Sequence, residues 1–206
     1  MPRIPAYLNT VNEYEPDQFI ANLHISTGKI IACDPLVDSV AQPFSQIVPT
    51  GDFPVSVYYD DYDAHALAVL RFNDNDAVRW QMATTNKQDL ATLKEGHIFG
   101  YPVDAGMGCF TDEVGFNLIQ QHESELSTQL GDKFISYYDD VIDEQMMKND
   151  NFETLNLRPY ADNPHNCVIF TSGCGDGFYA SYWGYDEAGN VVCLVTDFCL
   201  LSGEEA

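Results

Sequence analysis

The chain has 206 residues, 45% of them hydrophobic, and nine Lys and Arg against thirty-two Asp and Glu give a formal net charge of -23. Twelve Tyr, twelve Phe and two Trp accompany that charge. They exclude a disordered acidic tail, because chains too charged to collapse are poor in aromatics. The negative field opposes nucleic acid and anionic membranes and attracts a basic partner or a cation.

Length and apolar content predict one domain over residues 1–206 with a core of its own. The first residues, MPRIPAYLNTVNEYEP, carry one early Arg and then Pro, Asn and Glu in place of an apolar run, so no signal peptide is expected. No stretch approaches about eighteen consecutive apolar residues, so no spanning helix is expected and the predicted compartment is the cytoplasm.

Residues 23–25 and 29–33 are β-prone runs about Ser26, Thr27 and Gly28 and predict a hairpin. Asp34-Pro35 ends it, since proline cannot donate to a ladder. Runs at 55–59, 64–72 and 78–83, divided by DDYD and NDNDA, predict a meander. The middle run, AHALAVLRF, reads equally as a central strand or a short helix, because a continuous apolar stretch has no informative period. Residues 101–105 and 108–110 flank Gly106 and predict another tight turn.

Thr111 or Asp112 can then cap a helix. Val114, Leu118, Ile119, Leu126 and Leu130 form its apolar stripe at a 3.6-residue period, with Gln121, His122 and Glu125 interleaved. A second helix is expected over 132–148, followed by a polar connection from 149 to 164 with two prolines. Strands are predicted at 167–171, 178–185 and 191–201, the last two joined by a turn at Glu187, Ala188, Gly189 and Asn190. The expected fold is α+β, predominantly antiparallel sheet, meander or sandwich-like, with two helices inserted around residues 112–148.

The cysteines at 33, 109, 167, 174, 193 and 199 stand in apolar or glycine-rich contexts without CxxC spacing and are expected as buried, reduced thiols. Ser172-Gly-Cys-Gly-Asp-Gly177 places three glycines in five positions. Lacking a following helix or a nearby Lys, it is expected as a tight turn and not a phosphate loop. Ser172 and Cys174, with His165 as base, lack the surroundings of known nucleophile motifs. The histidines at 24, 65, 97, 122 and 165 form no metal-binding pair. Asp34, Asp104, Asp176 and Asp197 sit at turns or strand ends. Each is expected to cap its own turn; brought together, with Lys29 as counter-ion, they would form a hydrolase or Mg/Ca site.

Gly28-Lys29-Ile30-Ile31-Ala32-Cys33-Asp34-Pro35, Val103-Asp104-Ala105-Gly106, Ser172-Gly173-Cys174-Gly175-Asp176-Gly177 and Asp197-Phe198 resemble, in that order, the signature of the domain of unknown function 4241 family. The resemblance spans roughly residues 23–201. It implies a bacterial accessory protein from gene neighbourhoods that include secreted toxins, and with the charge it points to an immunity-type inhibitor of a basic toxin that needs no cofactor. The surface expected to bind is the carboxylates of Asp60, Asp61, Asp63, Asp139, Asp140, Asp143 and Glu144, with Tyr137 and Tyr138 as anchors. The alternative is a hydrolase or metal-binding domain on Lys29, Asp34, Asp104, Asp176 and Asp197.

Overall fold

A computed structural model describes residues 4–36 and 40–201. After a short helix, α1 (Thr10–Glu13), come the strands β1 (Gln18–Ile25), β2 (Ile30–Cys33), β3 (Gly51–Tyr59), β4 (His65–Arg71), β5 (Arg79–Met82), β6 (Tyr101–Val103) and β7 (Met107–Asp112). The helices α2 (Glu113–Leu130) and α3 (Asp143–Asn149) follow, then β8 (Thr154–Leu157), β9 (Cys167–Thr171), β10 (Gly177–Tyr185) and β11 (Val191–Asp197). The fold is α+β: a seven-stranded sheet in the order β1-β3-β4-β11-β10-β5, with β6 also on β10, faces a four-stranded sheet in the order β2-β7-β9-β8. Every pairing among these strands is antiparallel.

Both sheets are covered on both faces. Between them lie Leu23, Val55, Val57, Leu70, Trp183 and Leu194 of the large sheet against Ile30, Phe110, Val168 and Phe170 of the small one. The outer face of the small sheet buries Ile31, Cys109, Leu155 and Ile169 under Phe116 and Ile119 of α2 and Ile142 and Met146 at the start of α3. On the outer face of the large sheet, Leu8 and Val11 cover Tyr58, Leu67, Val69, Tyr182 and Val195. Two-sided burial accounts for AHALAVLRF: it is the strand β4, buried from His65 to Leu70, and its apolar residues serve both faces.

Two expected hairpins are crossings between sheets. Residues 23–25 belong to β1, which starts at Gln18 and pairs with β3, whereas β2 pairs with β7 across the sandwich. Gly106 likewise links β6, on β10, to β7, on β2 and β9. Each crossing is pinned by a carboxylate with no solvent exposure. Asp112 accepts from the backbone N–H of Ser26 (3.3 Å) and Thr27 (3.0 Å), from Thr27 Oγ1 (2.7 Å) and, as N-cap of α2, from Val114 N (3.0 Å). Asp34 accepts from Leu36 N (2.9 Å) and from Asp104 N and Ala105 N at 3.0 and 2.8 Å. A charged acceptor holding several orphan N–H groups supplies what a hairpin ladder would otherwise provide.

Three further boundaries differ from expectation. Gly131, at φ 56°, ends α2, and residues 134–136 carry no helix. Ser136 Oγ then accepts from Asp139 N, and helical structure resumes at residue 137 through a π turn, Tyr138–Ile142, into α3. Within the connection at 149–164 lies β8, an edge strand too short to show a period. Strand β11 stops at Asp197, whose carboxylate takes Cys199 N at 2.9 Å and turns the chain through a positive φ at Cys199.

Candidate functional site

On the outer side of the large sheet, alternation along β3 sends Val55 and Val57 inward and Pro54, Ser56 and Tyr58 outward, where Val69 and Arg71 of β4 join them. The N-terminal segment walls this strip. Asn12 locks it down by donating to Ala77 O and accepting from Ala77 N, both at 3.0 Å, while Tyr58 Oη donates to Tyr14 O at 3.1 Å and Arg71 Nη2 donates to Val11 O. The result is a groove of about 550 Å³.

Its rim is acidic and aromatic. Glu13, Glu15, Asp74 and Asp76 line it with solvent-exposed side chains, and Tyr14 and Phe19 remain 65% and 57% exposed although they are large and apolar. Arg71, the cation on the floor, is held at the Val11 carbonyl. A second hollow of about 510 Å³ shares Asp74 and Asp76 and adds Asp186 and Glu187. Hydrogen bonds from Asn190 hold the Asp186 carboxyl below its ordinary range. Six carboxylates thus border two adjoining hollows, a surface suited to a cationic group carried on an apolar or aromatic stem.

Of the five residues of the alternative site, Asp34 and Asp104 are brought together, Asp104 N donating to Asp34 Oδ2 at 3.0 Å. Asp34 closes the end of β2, and Asp197, at the end of β11, accepts from Tyr7 Oη at 2.8 Å. Burial pushes the Asp197 carboxyl upward. Asp104 and Asp176 are exposed on adjacent loops, where Ser172 N donates to Gly106 O at 3.0 Å. Lys29, expected as their counter-ion, pairs instead with Glu113 at 2.9 Å. Asp34 and Asp197 each accept the N–H two residues on, the turn-capping pattern. Among the described residues no three His, Cys, Asp or Glu side chains are grouped to hold a metal ion.

The glycine-rich run is the tight turn joining β9 to β10. Ser172 is buried and its Oγ donates to Gly175 O at 2.9 Å, with Gly173 and Gly175 at φ 61° and 99°. Four thiols are buried as expected, but Cys174 and Cys199 are exposed because both lie in turns outside the strands.

In the expected binding surface, Asp61 and Asp63 are exposed around Tyr62, which is 89% exposed, while Asp60 Oδ1 receives Tyr62 N and Ala64 N, both at 2.9 Å. Tyr137 cannot serve as a surface anchor. It lies in the core under the small sheet, 4% exposed, with its hydroxyl 2.8 Å from His122 Nδ1. Tyr138 is half-buried against the same cluster. Asp139 and Asp140 accept from Ser136 Oγ and Ile135 N, and Glu144 pairs with Lys148 at 3.3 Å. Asp143 stands half-buried in the first turn of α3. The groove escaped sequence reading, although NEYEP, an aromatic between two acids, was its available signal.

Two packed antiparallel sheets, with α2 and α3 on one outer face and the short α1 on the other, define an α+β sandwich that carries an acidic groove. The chain belongs to the family described as Protein of unknown function (DUF4241), which it matches over residues 23–196. Neither the curated proteins nor the solved structures contain a match. Among the described residues no helix is long and apolar enough to cross a membrane.

Proposed function

We propose that this protein is a binding protein of the immunity class, which captures a basic protein partner, a cognate bacterial toxin, in its cytoplasm. The groove carries this reading: exposed Tyr14 and Phe19 stand among Glu13, Glu15, Asp74 and Asp76 on a chain of net charge -23. Interface energy concentrates on aromatic anchors ringed by polar groups, and a one-signed rim speeds encounter with an oppositely charged partner. Asp60, Asp61, Asp63, Asp143 and Glu144 extend the negative field and act on approach more than on hold. Asp139 and Asp140 are engaged in local caps, which favours the groove over the α3 face.

The test uses the purified chain as bait in lysate of its native bacterium at low salt, with the captured basic protein then made pure for association kinetics. Changing Glu13 and Glu15 to Gln and Asp74 and Asp76 to Asn should lower the association rate about tenfold or more and flatten its salt dependence. Changing Asp60, Asp61 and Asp63 to Asn should have a smaller effect. Identical kinetics for the groove variant and the wild type would remove the groove from the reading.

A further inference from the structure

A polar cluster on the seam between the sheets, none of whose residues lines the groove, has the layout of a nucleophile, a base and an orienting group. Ser26 follows the last residue of β1 and is exposed. Its Oγ lies 2.8 Å from His165 Nε2, and His165 Nδ1 lies 2.7 Å from Asn163 Oδ1. The same Asn163 oxygen accepts the His165 backbone N–H at 3.0 Å, which identifies it as the carbonyl oxygen. Nδ1 of neutral His165 therefore carries the ring proton, and Nε2 presents a lone pair to the serine. Ser26 has one proton. Asp112 Oδ1, the other acceptor within reach, is farther away at 3.3 Å and already accepts from Val114 N.

His24 completes the arrangement. Two residues before Ser26 on an extended chain, it projects to the same side, and its ring meets that of His165 edge-on at 5.0 Å. Its Nδ1 lies 2.9 Å from Asp52 Oδ1, which fixes the orientation of the ring. Burial and then His24 lower the pKa of His165, keeping it in its basic form near neutrality. The Ser26 and Thr27 N–H groups are not available to stabilise an oxyanion, because Asp112 holds them.

We propose that Ser26 is an activated nucleophile, with His165 as its base and Asn163 as the orienting group, directed at small uncharged carboxylic esters. The negative field of the chain disfavours anionic substrates, and the exposed position at the seam suits a short acyl group. In the step, the Ser26 proton passes to His165 Nε2 as Oγ bonds to the ester carbon. The alkoxide leaves with that proton, and a water deprotonated by His165 then cleaves the acyl-serine, returning the proton to Ser26 and releasing the acid.

The probe is a small alkyl fluorophosphonate, which loses fluoride as its phosphorus bonds to the serine oxygen, applied to the full chain and read by intact mass and peptide mapping. One adduct is expected, on Ser26, absent in Ser26→Ala and formed about a hundredfold more slowly in His165→Ala, with a rate that rises as His165 loses its proton. Hydrolysis of p-nitrophenyl acetate should follow the same order. The native chain is also compared with the chain unfolded in urea, a comparison independent of whether any variant folds. Equal labelling of the two, an adduct on another serine, or equal rates in wild type and folded His165→Ala would overturn the proposal. None of these results bears on the groove.

Discussion

Replacing Asp112 by alanine removes one acceptor from the N–H groups of Ser26, Thr27 and Val114 and from the Thr27 hydroxyl, at a site with no solvent exposure to supply water instead. Hydrogen bonds to a charged group contribute more than neutral ones, and buried donors left unpaired are costly, so Asp112→Ala should destabilise by about 3 kcal/mol or more. The urea midpoint measures it, and a loss within about 1 kcal/mol, the cost of the helix cap alone, would show that the crossing does not depend on Asp112. His65 is a second residue whose role is set by what surrounds it. Buried and stacked on Tyr59 at 5.3 Å, it places Nδ1 3.1 Å from Thr171 O and leaves Nε2 without a partner. Burial pulls its pKa below the ordinary histidine value. The unfolded chain therefore binds this proton more readily than the folded one. Its contribution is complete above the unfolded pKa of about 6.5 and is lost as pH falls through that value toward the lower, folded one. Wild type should lose stability relative to His65→Phe as pH is lowered from about 8 to about 5.5. Parallel curves for the two proteins would refute this.

At the scale of elements, the chain alternates between sheets where local sequence suggests it should fold back on itself. Gly28 marks the first crossing: its φ is 73°, Val48 N donates to its carbonyl at 2.9 Å, and an added Cβ would sit 2.5 Å from Val48 O. Gly131, which ends α2, shares a positive φ of 56° but has nothing within 4 Å of the same position. Gly28→Ala should therefore destabilise by about 2 kcal/mol or more, strain plus a backbone clash, and Gly131→Ala by about 1 kcal/mol from strain alone. Thermal unfolding of the two variants checks the order, and equal losses would remove the close approach as the cause. A turn signal such as Ser26-Thr27-Gly28 is local, whereas the partner of the following strand is decided by which face finds apolar cover. That is why α2 and its Asp112 cap were legible, and the destinations of β2 and β7 were not.

The whole molecule combines a core buried in three layers with a surface of net charge -23 and few ion pairs: Lys29–Glu113, Lys148–Glu144 and His24–Asp52 among the described residues. Those pairs are at least partly exposed and worth little individually. The unbalanced carboxylates set a field, which the fold concentrates where Glu13, Glu15, Asp74 and Asp76 meet around Tyr14 and Phe19. For the proposed capture of a basic partner, association should slow steeply between about 20 and about 300 mM salt, because the Debye length contracts over that range. Dissociation, governed by the aromatic anchors, should change little. A dissociation rate that carried the whole salt effect would place the anchors elsewhere.

By itself, the sequence determined that this chain folds, that antiparallel strands dominate, that an amphipathic helix follows Asp112, and that the surface is strongly negative. Each of these rests on composition or on a period within one segment. Only the tertiary structure decided which strands share a sheet, because strands such as β4 and β11, buried on both faces, carry no alternation to orient them. It also decided that Asp34 and Asp197 cap their own turns, that Lys29 pairs with Glu113, that Tyr137 lies inside, and that Glu13, Asp74 and Tyr58 meet in one groove. Such meetings join residues tens of positions apart, and their free energy comes from burial that no local window of sequence contains.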